Sequence, residues 1–148
     1  MPARFEFEQA PGHLIRRAHQ ISSAVFSDEA AAHGVTPVQF AILNVLMDEP
    51  GIDQITLAGR VVFDAATIGS VIGRLEHKGW LRRDADVQDR RRKLLWLTAE
   101  GEQAVLALKP GVEMVQQRIL EPLAPEERHQ LLALLAKLVT NHARSQAA

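Results

Sequence analysis

Apolar residues recur along this chain at helical spacing in six stretches and at strand spacing in one short region. Between Asp64 and Gly79, Ile68, Val71, Ile72 and Leu75 fall at i, i+3, i+4 and i+7, the single buried stripe of an amphipathic helix. Its other face is small and polar: Ala66, Thr67, Gly69, Ser70, Gly73 and Arg74. Upstream, Pro11 opens a helix running to about His33, which Gly34 closes. It has one stripe of Leu14, Ala18, Ile21 and Val25 and a second, mixed face of Ile15, His19, Ser23 and Phe26. Two such faces call for two packing partners, its own domain and a second subunit. Thr36-Pro37 starts the next helix, with Val38, Ala41, Ile42, Val45 and Leu46 as its apolar positions, and Pro50-Gly51 ends it. Asp53 caps a short helix from Gln54 to about Val62, with Ile55, Ala58 and Val61 expected inward. Asp64 is the expected cap of the following helix, after a short connection at Phe63–Asp64.

Downstream the period changes. Trp80–Arg83 and Leu94–Leu97 read as two short strands joined by a charged loop that ends in Arg90–Lys93. A helix follows Thr98 to about Leu120, with Pro110-Gly111 expected to bend or interrupt it. Pro125 begins a last helix rich in leucine: Leu131, Leu132, Leu134, Leu135 and Leu138, then Val139. Helix, turn, helix and basic hairpin in this order predict a mainly α fold with a small β-wing, a winged helix-turn-helix. One domain over residues 1–148 is expected, with its DNA-binding part at 34–98. The helices at 10–33 and 99–144 are left to build a homodimer, because the leucine face is too apolar to stand in water.

Charge changes the picture more than composition does. The net charge of −1 argues against a nucleic-acid binder. Its distribution argues for one: residues 60–93 carry 9 Lys and Arg against 5 Asp and Glu, while residues 1–59 carry 3 against 7. The helix at 64–79 presents the flat face that a major groove admits, and the arginines of the loop suit a narrow minor groove or phosphates. Ala66, Thr67, Ser70 and Arg74 on the helix and Asp89, Arg90, Arg91 and Arg92 in the loop are therefore the candidate DNA-binding residues. Thr36, Gln39 and Gln54 join them from helix starts, where free N–H groups meet phosphates. Each has a plainer reading: Thr36 as a cap, Arg74 as an internal ion-pair partner, the arginine run as a solvated cluster.

With no cysteine there is no disulfide, thiolate site or thiol sensor. The six histidines form no HxxxH or HExxH pair, so no metal is expected, and no cofactor. No serine sits in a nucleophile elbow and no phosphate-binding glycine loop occurs, so the chain does not read as an enzyme. No long apolar run and no signal-like N-terminus is apparent, so a cytoplasmic protein is the expected reading.

The segments TPVQFAIL (36–43), ITLAGRV (55–61), RLEHKGWL (74–81) and DRRRKLLWLTAEG (89–101) resemble the MarR family, the multiple antibiotic resistance regulators. The likeness covers residues 12 to 140 and is most specific at Asp89-x-Arg91 followed by LxLTxxG at Leu95–Gly101. It implies a winged helix dimer with interlocked first and last helices, a pseudo-palindromic DNA operator, and control by a small molecule. It also implies that Asp89 holds Arg91 and that Arg91 enters the minor groove. Ser70 and Gly73 depart from the family's usual larger residues and bear on which bases are read. PGHLIRRAHQ (11–20) and PGIDQITLAGR (50–60) are similar to members that regulate the breakdown of aromatic acids or their coenzyme A thioesters.

The expected function is a transcription regulator, a repressor of an adjacent catabolic or efflux operon that a small aromatic carboxylate or its CoA thioester releases. His19, Ser23, Phe26 and Phe40 are the candidate ligand walls, and Arg16 or Arg60 the counter-charge. The competing reading is a helical-dimer interaction module or an architectural DNA binder without an effector. Ordinary helix packing around a hydrogen-bonded His19 is the plainer account of the same face.

Overall fold

The computed structural model of the chain describes residues 3–30, 33–61 and 65–147. Among the described residues the main elements are α1 (Pro11–Ala30), α2 (Pro37–Asp48), β1 (Ile52–Asp53), α3 (Gln54–Val61), α4 (Ala65–His77), β2 (Leu81–Ala85), β3 (Lys93–Leu97), α5 (Ala99–Leu120) and α6 (Pro125–Ala147). A turn of 3-10 helix at Phe7–Gln9 precedes α1. The residues group into two compact units, Met1–Val115 and Gln116–Ala148.

The first unit carries the core expected of a winged helix. Ile42, Leu43 and Leu46 of α2, Leu57 and Ala58 of α3, and Ile68, Ile72 and Leu75 of α4 are buried together with Leu81, Leu95 and Val105. The α4 stripe is thus the buried face that its spacing predicts. The α3 face meets expectation at Ala58, which is buried, and at Val61, which packs against the core, and departs from it at Ile55. Leu57 and Ala58 point inward, whereas Ile55 is 78% exposed. Ile55 lies in the first turn of this eight-residue helix, whose buried residues are Leu57 and Ala58.

Local chemistry sets the element boundaries. Thr36 and Gln39 form a capping box: Gln39 N–H donates to Thr36 Oγ1 at 3.2 Å, and Thr36 N–H donates to Gln39 Oε1 at 3.1 Å. Gly34 (φ 63°) precedes that start, and Gly79 (φ 82°) closes α4, conformations that L side chains resist. Lys78 ties the two ends together. Its Nζ donates to Gly34 O at 3.0 Å while lying 4.6 Å from the Trp80 ring centroid. The expected cap Asp64 and the Phe63–Asp64 connection lie outside the described residues.

The sheet is antiparallel in the order β1-β3-β2, with Arg82 opposite Trp96 and Leu81 opposite Leu97. Trp80 stands outside β2, and β2 and β3 otherwise extend past the expected strands, because pairing runs from Leu81 to Ala85 against Leu97 to Lys93. β1 was not expected; two residues leave no period to read, yet Ile52 and Asp53 pair with Leu95 and Leu94. α5 runs through Pro110 without interruption. The proline removes one of many i→i−4 bonds, and buried Val105, Leu108 and Val115 anchor the helix on both sides of it.

In the second unit Arg128 Nε donates to Leu123 O at 2.8 Å and Glu127 accepts from Ala124 N–H at 2.8 Å, fixing the start of α6. Leu132, Leu134, Leu135, Leu138 and Val139 of α6 are exposed, as are Leu14, Ile15 and Ile21 of α1 in the first unit.

Candidate nucleic-acid interface

α4 brings Thr67, Ser70 and Arg74 onto one exposed face. The space there is open: a side-chain carbon added at Gly73 would meet nothing within 4 Å. One added at Gly69 would touch only Gln54 Nε2, at 3.4 Å, so the start of α3 borders this face. Ala66 lies in the first turn of α4. Thr36 is exposed at the start of α2, but Gln39 is buried and its amide oxygen is committed to the capping box. That leaves Thr36 and Gln39 as a capping pair first of all.

The wing tip spans residues 86–92. Asp86 N–H donates to Arg92 O and Arg92 N–H to Asp89 O, both at 2.9 Å. Two carboxylates fold the turn from within: Gln88 N–H donates to Asp86 Oδ1 at 3.0 Å, and Arg91 N–H to Asp89 Oδ1 at 3.1 Å. Asp89 also lies 3.6 Å from Arg91 Nε, while the Arg91 side chain is 96% exposed. Arg90 and Lys93 are exposed as well. The tip therefore holds out a loosely tethered guanidinium with a fixed root.

Arg92 is placed otherwise. Its Nη2 donates to Asp53 Oδ2 at 3.0 Å, and its Nη1 lies 3.7 Å from Asp86 Oδ2. Asp53 is at the same time the cap of α3, accepting from Thr56 N–H at 2.9 Å and from Thr56 Oγ1 at 2.6 Å. These Thr56 hydrogen bonds, side chain before backbone, hold the Asp53 carboxyl far below its ordinary range, with Arg92 adding to them against the cost of desolvation. Sequence reasoning read Asp53 only as a cap and missed this pair. Its partners stand 39 positions apart, and no local pattern joins them.

The candidate ligand residues are not drawn into one pocket. Phe26 is buried in a recess of about 10 Å³ with Ala30, His33, Leu108 and Val115, room for one water. Phe40 lines a separate cleft of about 300 Å³ with Asn44, Met47, Asp48, Lys109 and Glu113; the two recesses share Val112. His19 is exposed and Ser23 half-buried on α1. Arg16 contacts His13 Nδ1 at 2.9 Å, and Arg60 is engaged by Glu49. Asn44 and Lys109 were not read from the sequence as ligand residues; Lys109 enters only through the fold, from α5. Among the described residues no group of His, Asp and Glu is arranged to hold a metal ion, and no helix is long and apolar enough to cross a membrane.

Comparison with known proteins agrees with this geometry. The chain matches the MarR family over residues 35–93. It is 33% identical over 127 residues to the transcriptional regulator HosA of Escherichia coli, covering 86% of this chain and 93% of HosA. Its fold matches that of Bordetella bronchiseptica BpsR, whose DNA binding is regulated by 6-hydroxynicotinic acid. The TM-score is 0.88 at 31% identity, covering 93% of this chain and 98% of that one. It also matches the transcriptional repressor CouR bound to a 23-mer DNA duplex, with a TM-score of 0.85 at 26% identity over 93% of this chain and 99% of CouR. These relatives are regulators and not enzymes. With its winged helix, its basic wing and these likenesses, the chain belongs to the MarR family of DNA-binding transcriptional regulators.

Proposed function

We propose that this regulator is a cytoplasmic repressor that grips a pseudo-palindromic DNA site as a homodimer and leaves it when a small aromatic carboxylate, or its CoA thioester, binds. The observation that carries the DNA reading is the pairing of an open, small-residue α4 face with an exposed Arg91 rooted by Asp89. Thr67, Ser70 and Arg74 face the major groove; Arg90 and Arg91 face the minor groove; Thr36 and Gln54 meet phosphates at helix starts. Residues 34–98 form the winged part. The exposed leucines of α6 and apolar positions of α1 support dimer formation by residues 10–33 and 99–144.

The likeness to BpsR, whose DNA binding is regulated by 6-hydroxynicotinic acid, and the cleft beside Phe40 support this effector class. Its volume, about 300 Å³, lies at the small end of ligand sites. Phe40 offers an aromatic wall, Asn44 an amide and Lys109 a cation. Asp48 and Glu113 also line it, so an anion needs the Lys109 ammonium to offset them. Arg60, held by Glu49, is the weaker counter-charge.

The test begins with duplexes selected by the wild-type protein from a random library. Fluorescence anisotropy then follows release by benzoate, hydroxybenzoates, 6-hydroxynicotinate, cinnamates and their thioesters. One of these is expected to release the duplex below about 1 mM, and Lys109→Ala with Phe40→Ala to abolish release while leaving DNA binding in place. Specific DNA binding that none of them alters favours an architectural protein without an effector.

A further inference from the structure

We infer that the Asp53–Arg92 ion pair is a strut locking the wing tip to the start of α3, which makes Arg92 a positioning residue for Arg91 and not a DNA ligand. The inference deepens the DNA-binding reading above and rests on it for its second readout.

The pair joins two parts of the fold that are each already fixed. Asp53 is held in β1 opposite Leu94, and both its oxygens accept from Thr56. Its side chain is only 11% exposed, against 53% for Arg92, so one end of the pair is anchored in the body of the domain. Arg92 stands where the wing tip closes onto β3, and its backbone N–H and C=O carry the two bonds that shape the tip. A guanidinium gripped by Asp53 thus fixes the peptide next to Arg91, whose own side chain reaches into solvent. The charge balance points the same way. Arg92 with Asp53 and Asp86 sums to one negative charge, so a phosphate approaching Arg92 meets two carboxylates already served by it. Arg90 and Arg91 are left to meet DNA. Holding the wing in place before binding spares the ordering cost at the moment of contact.

Asp53→Ser is the informative variant, since serine still caps α3 through the Thr56 N–H but is too short to hold Arg92. Arg92→Ala is the second; its side chain is half in solvent, so the fold tolerates the loss. In DNA-free protein, both are expected to speed amide hydrogen exchange across residues 86–93 and to leave that of α5 unchanged. On the selected duplex, each lowers affinity by roughly 3- to 100-fold, the range of coupling between contacting residues, and the double variant is no weaker than either single one. The salt dependence of binding keeps its slope. Pure electrostatics predicts the reverse for Asp53→Ser, because removing a carboxylate beside DNA strengthens binding. Wild-type exchange rates at residues 86–93 in both variants overturn the strut. So does an Asp53→Ser protein that binds as well as wild type while Arg92→Ala lowers the salt slope by about 1, the mark of a direct phosphate contact. If wild type selects no duplex, the DNA reading fails, and hydrogen exchange alone still decides the strut.

Discussion

Gly101→Ala is expected to destabilise the first unit by about 3 kcal/mol or more, one of the largest losses available to a single methyl group in this protein. A Cβ at Gly101 would lie 2.0 Å from the carbonyl oxygen of Trp80 and 2.8 Å from its carbon, and both are backbone atoms. That carbonyl cannot give way cheaply. It accepts from Thr98 N–H at 3.1 Å, and the Trp80 N–H is bound to Leu75 O. Thr98 meanwhile donates to Gly79 O at 2.6 Å and accepts from Gly101 N–H at 3.0 Å. Moving α5 away would break one or the other of those bonds at the junction of α4, the sheet and α5. Gly73→Ala is the control, since its Cβ would enter open space and a helix interior favours alanine by roughly 1 kcal/mol. Denaturant unfolding should show a fall in midpoint for one variant and a small rise for the other, with the slope unchanged. Equal midpoints for Gly101→Ala and wild type would mean that α5 does not start against residue 80.

The second large effect lies on binding. Arg91→Ala should weaken binding of the selected duplex by about 1–3 kcal/mol and leave the thermal midpoint where it was. The side chain is 96% exposed and its ionic partner among the described residues, Asp89, is a turn residue beside it, so folding owes it little. Asp89→Ala should cost less, since Arg91 keeps its charge but loses its root and one bond of the turn. Ser70 should behave differently from both. Enlarging it is expected to change which bases are preferred, with a smaller change in total affinity, because a groove-facing helix residue reads edges and not phosphates. A wild-type affinity for Arg91→Ala would take the wing tip out of the interface.

Much of this was legible in the chain because it is local. The spacing of Ile68, Ile72 and Leu75 names a buried helix face, and all three are fully buried. Thr36-Pro37 spells a helix start, and Gly34 and Gly79 mark turns that prefer no side chain. The wing followed from two short apolar runs around a charged loop. What stayed hidden depends on which distant parts meet. Ile55 looked inward by pattern, but an eight-residue helix has too few turns for the pattern to fix its rotation. β1 is a strand only because β3 lies beside it. Phe26 and Phe40 share an aromatic character but line separate recesses, and Arg60 found Glu49, eleven positions away, instead of a ligand cleft. Arg92 sits within a run of three arginines and is indistinguishable from its neighbours in sequence. Only the fold brings Asp53 to it and leaves Arg91 in solvent.

Sequence-specific recognition of DNA by α4 and the wing is the central proposal. The most direct measurement is the ratio of affinities, at physiological salt, for a duplex the protein selects and for an unrelated duplex of equal length. A ratio of about 10³ or more is predicted, falling steeply toward unity for a variant carrying both Ser70→Glu and Arg91→Ala. Equal affinities of the wild-type protein for the two duplexes would contradict it.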